Sequence, residues 1–190
     1  MKNIFFVIFM FILINVCLFS DDKLENWEPS KVGLIFPMAF SFGDDFNYTY
    51  LSFGGGVRFK TFADLYLHPS ISYAMITETH TVTEELFGTT WEHEKTDFLS
   101  RAAFRIAFEY TVYKYTALRR IGPYRYLTHL NPLVEVSGDI GPIIGFTYAD
   151  GLVIDAGVNW REHMFTSTYS IQFHPEKNAF GFFMAFGICF

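Results

Sequence analysis

An all-β fold, a transmembrane antiparallel up-and-down barrel of about eight strands, is the class that the sequence predicts, and three observations predict it. The first is alternation: from Lys31 to Phe190, large apolar side chains recur at every second position, in segments bounded by Gly, Pro, Asn and Asp. The second is composition. Aromatic residues make up 20% of the 190 residues, with 24 Phe and 11 Tyr, while charged residues are only 18%, against a usual share of about 25%. The third lies in the chain after its leader: no further apolar run approaches the roughly 18 residues that a helical span requires.

The chain divides into three parts. Residues 1–20 are expected to be a signal peptide, with Lys2 in a positive start and an apolar run from Ile4 to Phe19 before Asp21 and Asp22. A retained anchor fits less well because the run is short for a bilayer. Lipid attachment at Cys17 suffers from the bulky Val16 before it. Cleavage leaves Cys189 as the single cysteine, a packing residue with no disulfide partner. Residues 21–30 are expected to form a polar periplasmic tether, and 31–190 the barrel, expected in a bacterial outer membrane. The net charge of −6 argues against nucleic acid as a partner.

The strands are read in order by parity. In the first, Lys31 to Gly43, Leu34, Phe36 and Met38 point out, and Pro37 predicts a bulge. The second, about Tyr48 to Phe62, sends Leu51, Phe53, Val57 and Phe59 out and Arg58 and Lys60 in. Its Gly54-Gly55-Gly56 run has no helix after it, so it marks a bend and not a phosphate loop. The third starts at Leu65. An acidic connection, Thr77 to Thr96, precedes the fourth strand, about Asp97 to Tyr110, which turns Arg101, Arg105 and Glu109 inward. The fifth, about Pro132 to Phe146, turns Glu135 and Asp139 inward, and the sixth does so with Asp155 and Arg161. The seventh runs to His174 and its turn. The eighth, Ala179 to Phe190, carries no charge on either face and reads as a seam outside the polar plug.

One connection is too long for the periplasmic side, where short turns are the rule. Thr111 to Asn131 interleaves Lys114, Arg119, Arg120 and Arg125 with Tyr113, Tyr115, Tyr124 and Tyr126. It reads as an interfacial segment, partly helical around Tyr113 to Ile121 and broken at Gly122-Pro123. The alternative is an extra hairpin about Gly122-Pro123, giving ten strands.

The inward set, Arg58, Lys60, Arg101, Arg105, Glu109, Glu135, Asp139, Asp155 and Arg161, is close to charge balance. Charges in so narrow an interior must pair, so the set predicts a polar plug. A gated pore is the alternative. No catalytic residue, cofactor site or metal site is assigned. Ser170 and His174 share a face but stand about 13 Å apart along one strand, and His68 with Ser70 is too common a spacing to carry weight. His80, Glu92, His93 and Glu94 would meet only across a hairpin, without a recurring zinc spacing.

The leader, the alternating strands and the terminal Phe190 resemble the small bacterial outer-membrane β-barrels of the OmpA/OmpX type, over about Lys31 to Phe190. The resemblance implies that Phe186, Ile188 and Phe190 form the signal read by the barrel-assembly machinery; Ala185 departs from the glycine often found there. It implies outer-membrane lipid as the surroundings and allows roles from structural anchor to lipid-modifying enzyme. The resulting expectation is a porin-like but plugged, non-enzymatic barrel at the cell surface. Its acidic loop, with Glu84, Glu85, Phe87 and Trp91, would contact an extracellular protein or host ligand. A narrow channel and a lipid-modifying enzyme are the alternatives.

Overall fold

The computed structural model describes residues 31–43, 46–86, 89–120, 122 and 127–190. The expected signal peptide (1–20), the tether (21–30) and Phe87 lie outside them. Among the described residues nine strands follow one another: β1 (Val32–Phe42), β2 (Tyr48–Lys60), β3 (Leu65–Leu86), β4 (Thr89–Tyr110), β5 (Tyr113–Arg120), β6 (Leu133–Tyr148), β7 (Leu152–Glu162), β8 (Phe165–His174) and β9 (Ala179–Cys189). All pairings are antiparallel, and they make one sheet in the order β4-β3-β2-β1-β9-β8-β7-β6-β5. A further pairing, β4 with β6, closes that sheet into a ring. The first and last strands are neighbours in it, with Gly33 opposite Cys189 and Phe42 opposite Phe180.

The period of two decides which side chains face inward. Along β1, residues alternate between exposed and buried, as they do along β8 and β9. Here the exposed set is the apolar one. Phe36, Phe53, Ile71, Phe104, Phe146, Trp160, Tyr169 and Phe182, one from each strand around the ring, are all more than 40% exposed. The buried set mixes small groups with charges, including Arg58, Glu109, Asp139, Asp155 and Arg161. The ring is inverted relative to a water-soluble sheet, whose large apolar groups turn inward.

Glycine makes the tight closure sterically feasible. A Cβ at Gly157 on β7 would overlap the Tyr169 carbonyl oxygen on β8, whereas a Cβ at the outward Gly55 would meet nothing within 4 Å. The inner wall, where strands crowd, needs the missing side chain.

Three expectations are corrected by the pairings. Thr111 to Asn131 contains no helix over Tyr113–Arg120: that stretch is β5, which continues the line of β4 and pairs with the same partner, β6. Glu109 stands opposite Ile143 and Tyr113 opposite Ile140, four steps on one strand against three on the other, so one extra residue forms a β-bulge. Eight strands therefore go round the ring, and β5 is the lower half of the fourth, extending it beyond the rim. Second, Thr77 to Thr96 is not a loop. β3 and β4 stay paired from Glu78–Asp97 to Leu86–Thr89, forming a hairpin arm that outruns β2, whose last pair is Tyr48–Glu78. Third, Pro37 causes no register shift. The β1–β2 ladder passes over Phe36 and Pro37 and resumes in the same register, and Pro37 sits opposite Ala185 on β9.

The ring thus has two distinct ends. The arm leaves one end, together with the turns β1–β2, β6–β7 and β8–β9. The start of β1, the end of β9, the turns β2–β3 and β7–β8, and the β5–β6 extension share the other.

Candidate functional site: the charged interior and the projecting arm

Six of the nine inward charges expected from the sequence form three buried ion pairs. Arg58 on β2 donates from Nε and Nη2 to both carboxylate oxygens of Glu109 on β4, each at 2.8 Å, and His68 Nε2 lies 2.6 Å from the same carboxylate. The side chains of Arg58 and Glu109 are 0% exposed. Arg105 holds Asp155 in the same two-pronged manner, at 2.9 and 2.6 Å. Arg161 pairs with Asp139, which also accepts from Thr111 at 3.4 Å. Two-pronged geometry uses both carboxylate oxygens and is the strongest arrangement for such a pair.

The other three residues take different places. Arg101 bonds Asp150 at 3.2 Å with half its side chain exposed, at the arm end of the ring. Lys60 is half-buried at the opposite rim, and Glu135 is exposed on the extension beyond it. Neither belongs to the buried pairs: parity gives them the inner face, but Lys60 ends β2 at the rim, opposite Tyr66, and Glu135 lies on the β5–β6 extension.

Aromatic rings complete the filling. The Arg58 guanidinium carbon lies 3.5 Å from the centroid of Tyr66, and that of Arg105 3.8 Å from Phe183. Phe183 corrects the reading of the last strand as a seam apart from the plug: β9 contributes the ring on which the central arginine stacks. Cys189 is buried, with its sulfur against Gly33, so its inward thiol is closed off. Above Arg105 the interior is apolar, with Ala39, Ala74, Ala103, Ala185, Ile76 and Phe183 in contact.

Near the arm end, His174 meets a serine, though not one of those weighed from the sequence. Its Nε2 is 2.9 Å from Ser41 Oγ on β1, its Nδ1 is 3.3 Å from the Tyr48 hydroxyl, and Ser41 donates to Gln172 Oε1 at 3.2 Å. The Ser41 and His174 side chains are sealed from solvent, at 0% and 2% exposure, and the rings of Tyr48 and Tyr50 close over the imidazole. These bonds tie β1, β2 and β8 together. Ser70 and Ser170 have hydroxyls with no hydrogen-bond partner among the described residues.

The residues expected to form a contact loop are sorted by the hairpin onto two faces. Glu84 stands opposite Trp91, so these two share a face, while Glu85, opposite Thr90, turns to the other. Glu84, Glu85 and Trp91 are exposed, and Phe87 lies outside the described residues. The same alternation puts His80 and His93 on one face and Glu92 and Glu94 on the other. No cluster of three metal-ligating side chains forms among the described residues.

Beyond the opposite rim, the β5–β6 extension carries its own polar cluster. Tyr115 donates to Glu162 at 2.9 Å, Trp160 Nε1 donates to Tyr115, and Arg119 reaches Glu162 at 3.0 Å. Burial, with the Glu162 carboxylate adding to it, pushes the Tyr115 hydroxyl up to about 12.

No protein-family model and no curated protein sequence matches the chain.

Proposed function

We propose that this protein is a transmembrane β-barrel of a bacterial outer membrane. In this reading it is a non-enzymatic, plugged surface protein that holds an arm outside the cell for contact with an extracellular protein or host ligand. The observation that carries it is the continuous outer belt. Every strand around the ring exposes large apolar side chains, and neighbours on that face touch: the Phe40 and Phe182 rings are 5.5 Å apart, those of Phe173 and Phe180 4.7 Å. A closed ring satisfies its backbone hydrogen bonds strand to strand, which is the condition for standing in lipid without edges. Outer-membrane lipid is then the partner of the belt, and the barrel-assembly machinery the partner of Phe186, Ile188 and Phe190, which project outward at 45%, 37% and 71% exposure.

The three buried ion pairs favour a plug over a pore. Each guanidinium is matched by a carboxylate across the interior, and aromatic rings fill the space between them. The arm supplies the contact surface. Its strands have open backbone edges beyond Asn47 on the β2 side and beyond Phe104 on the β6 side, which suits partners that add a strand.

The test is reconstitution. The folded protein should enter liposomes, run at a heat-dependent position on SDS gels and lose only the arm to added protease. In planar bilayers it should give no discrete conductance. A chain that stays in the aqueous phase without detergent would overturn the membrane reading, and steady single-channel steps would overturn the plug. Replacing Thr79 to Thr96 by a short turn should leave insertion intact and remove binding to whole host cells.

A further inference from the structure

The arm is rooted in an ionic cluster that the interior plug does not include. Lys177, in the β8–β9 turn, sits 3.0 and 2.9 Å from the two carboxylate oxygens of Glu78 on β3 and 3.9 Å from Asp150 in the β6–β7 turn. Asp150 in turn takes Arg101 of β4 at 3.2 Å. Glu78 and Arg101 are on the two strands of the arm, at the level where β2 and β6 stop supporting it. Lys177 is on the β8–β9 turn across the mouth, and Asp150 is on the β6–β7 turn next to β4. The chain Glu78–Lys177–Asp150–Arg101 therefore ties the base of the arm to the far rim, above the Tyr48, Tyr50 and His174 layer. The Lys177 ammonium lies 5.9 Å from the centroid of Tyr48.

Charge at the root makes this tie consequential. Glu78 stands directly opposite Asp97 in the β3–β4 ladder, so two carboxylates share one face as cross-strand neighbours. Such like-charge pairs push strands apart. Asp97 is offset by Lys95 at 3.4 Å, exposed and on the arm itself. The charge that offsets Glu78 is Lys177, which belongs to the ring's opposite side. The Lys177 side chain is 24% exposed against 38% for Glu78, so the bond is partly screened and within reach of dissolved ions.

We infer that Glu78, Lys177, Asp150 and Arg101 form an electrostatic clasp that sets the position of the arm over the mouth, and that breaking it releases the arm while the ring stays closed. The clasp rests on the geometry of the ring and arm alone, so it stands or falls independently of the partner and of the membrane reading. Salt acts on it as a mild release, because its members are partly exposed where the interior pairs are dry.

The experiment uses the full folded chain in detergent or liposomes, with spin labels at Thr83→Cys on the arm and Tyr148→Cys at the outer end of β6. Both positions are exposed. Wild type should give one narrow distance distribution at low salt that broadens at about 1 M NaCl, where screening acts over only a few ångströms. Lys177→Ala should be broad at every salt concentration, and trypsin should cut at Lys95 about fivefold faster, the change expected from losing an ion pair of this exposure. Lys177→Arg, which keeps a cation beside both Glu78 and Asp150, should keep the narrow distribution, and a heat-dependent gel position shared by all variants would show that the ring remains closed. Unchanged distance distributions and cleavage rates in Lys177→Ala would overturn the clasp, as would a distribution in Lys177→Arg as broad as that of Lys177→Ala.

Discussion

Replacing Glu109 by alanine removes the carboxylate that holds Arg58 through two hydrogen bonds of 2.8 Å and approaches His68 at 2.6 Å. Both side chains of the pair are fully enclosed, so the guanidinium that remains stays out of reach of bulk water. Breaking one side of a buried pair costs about 3–5 kcal/mol, because the leftover charge keeps its desolvation penalty. With a urea slope of roughly 2 kcal/mol per molar, a loss of about 4 kcal/mol lowers the unfolding midpoint by about 2 M. The double replacement Arg58→Met with Glu109→Leu removes both charges and fills similar volume, and it should lie within about 1 kcal/mol of wild type. Glu84→Ala, on the exposed arm, should change stability by no more than about 0.5 kcal/mol. The assay is urea unfolding in lipid vesicles, followed by tryptophan fluorescence and by loss of the compact gel band. An unmoved midpoint for Glu109→Ala would refute the claim that the pair bears on folding. A double variant as unstable as the single one would refute the desolvation argument itself.

Four further outcomes rest on the same geometry. Gly157→Ala should cost about 3 kcal/mol, at the upper end for overpacking, since its Cβ overlaps the Tyr169 carbonyl oxygen, while Gly55→Ala, with open space around it, should be neutral; paired urea titrations compare them. Ile71→Arg in the outer belt should cost about 2–4 kcal/mol if the belt lies in lipid, and Phe190→Asp should slow insertion into liposomes before it alters folded stability; equal insertion rates would remove Phe190 from the assembly role. Tyr115, raised by burial to about 12 from an ordinary value near 10, binds its proton more tightly in the folded state. Its contribution is therefore complete below pH about 10 and fades as pH rises toward about 12. The difference in near-ultraviolet phenolate absorbance between wild type and Tyr115→Phe should titrate near the upper value; a midpoint near the ordinary one would show the hydroxyl to be free.

The strands are legible in the sequence because outward side chains leave a strong signal: Phe, Ile and Leu at alternate positions, with charge only between them. Parity also assigns Arg58, Arg105, Glu109, Asp139, Asp155 and Arg161 to the inner face. It does not assign their partners. Arg58 meets Glu109 because β2 and β4 are each neighbours of β3 and their side chains reach across the interior, which depends on strand tilt and stagger. Ser41 and His174 come together for a similar reason, through β9, which lies between their strands and arrives last in the chain. The arm escapes a reading based on hydrophobic alternation alone. Thr77, Thr79, Thr81 and Thr83 repeat with the same period of two, and threonine favours strands, so a polar strand is written in the sequence without an apolar face.

The bulge between β4 and β5 hides the second half of that strand from a parity reading, and its effect on the side chains shows why the chain needs it. Through β4 the even positions, Phe104, Ile106, Phe108 and Tyr110, face outward. Had that parity continued, Lys114 and Arg120 would have turned toward the belt side and Tyr115 would have turned inward. One extra residue reverses the assignment. Lys114 now shares a face with Asp139 and reaches Asp64 at 3.1 Å, while Tyr113 and Tyr115 stack at 6.1 Å on the outer side next to Trp160. Aromatic groups with polar tips take the outer boundary and the ammonium is drawn to the inner face of the rim opposite the arm, an arrangement suited to the proposed boundary between lipid and water. A parity reading without the bulge meets charge where it expects outward apolar carbon, and loses the strand at the place where the strand changes faces.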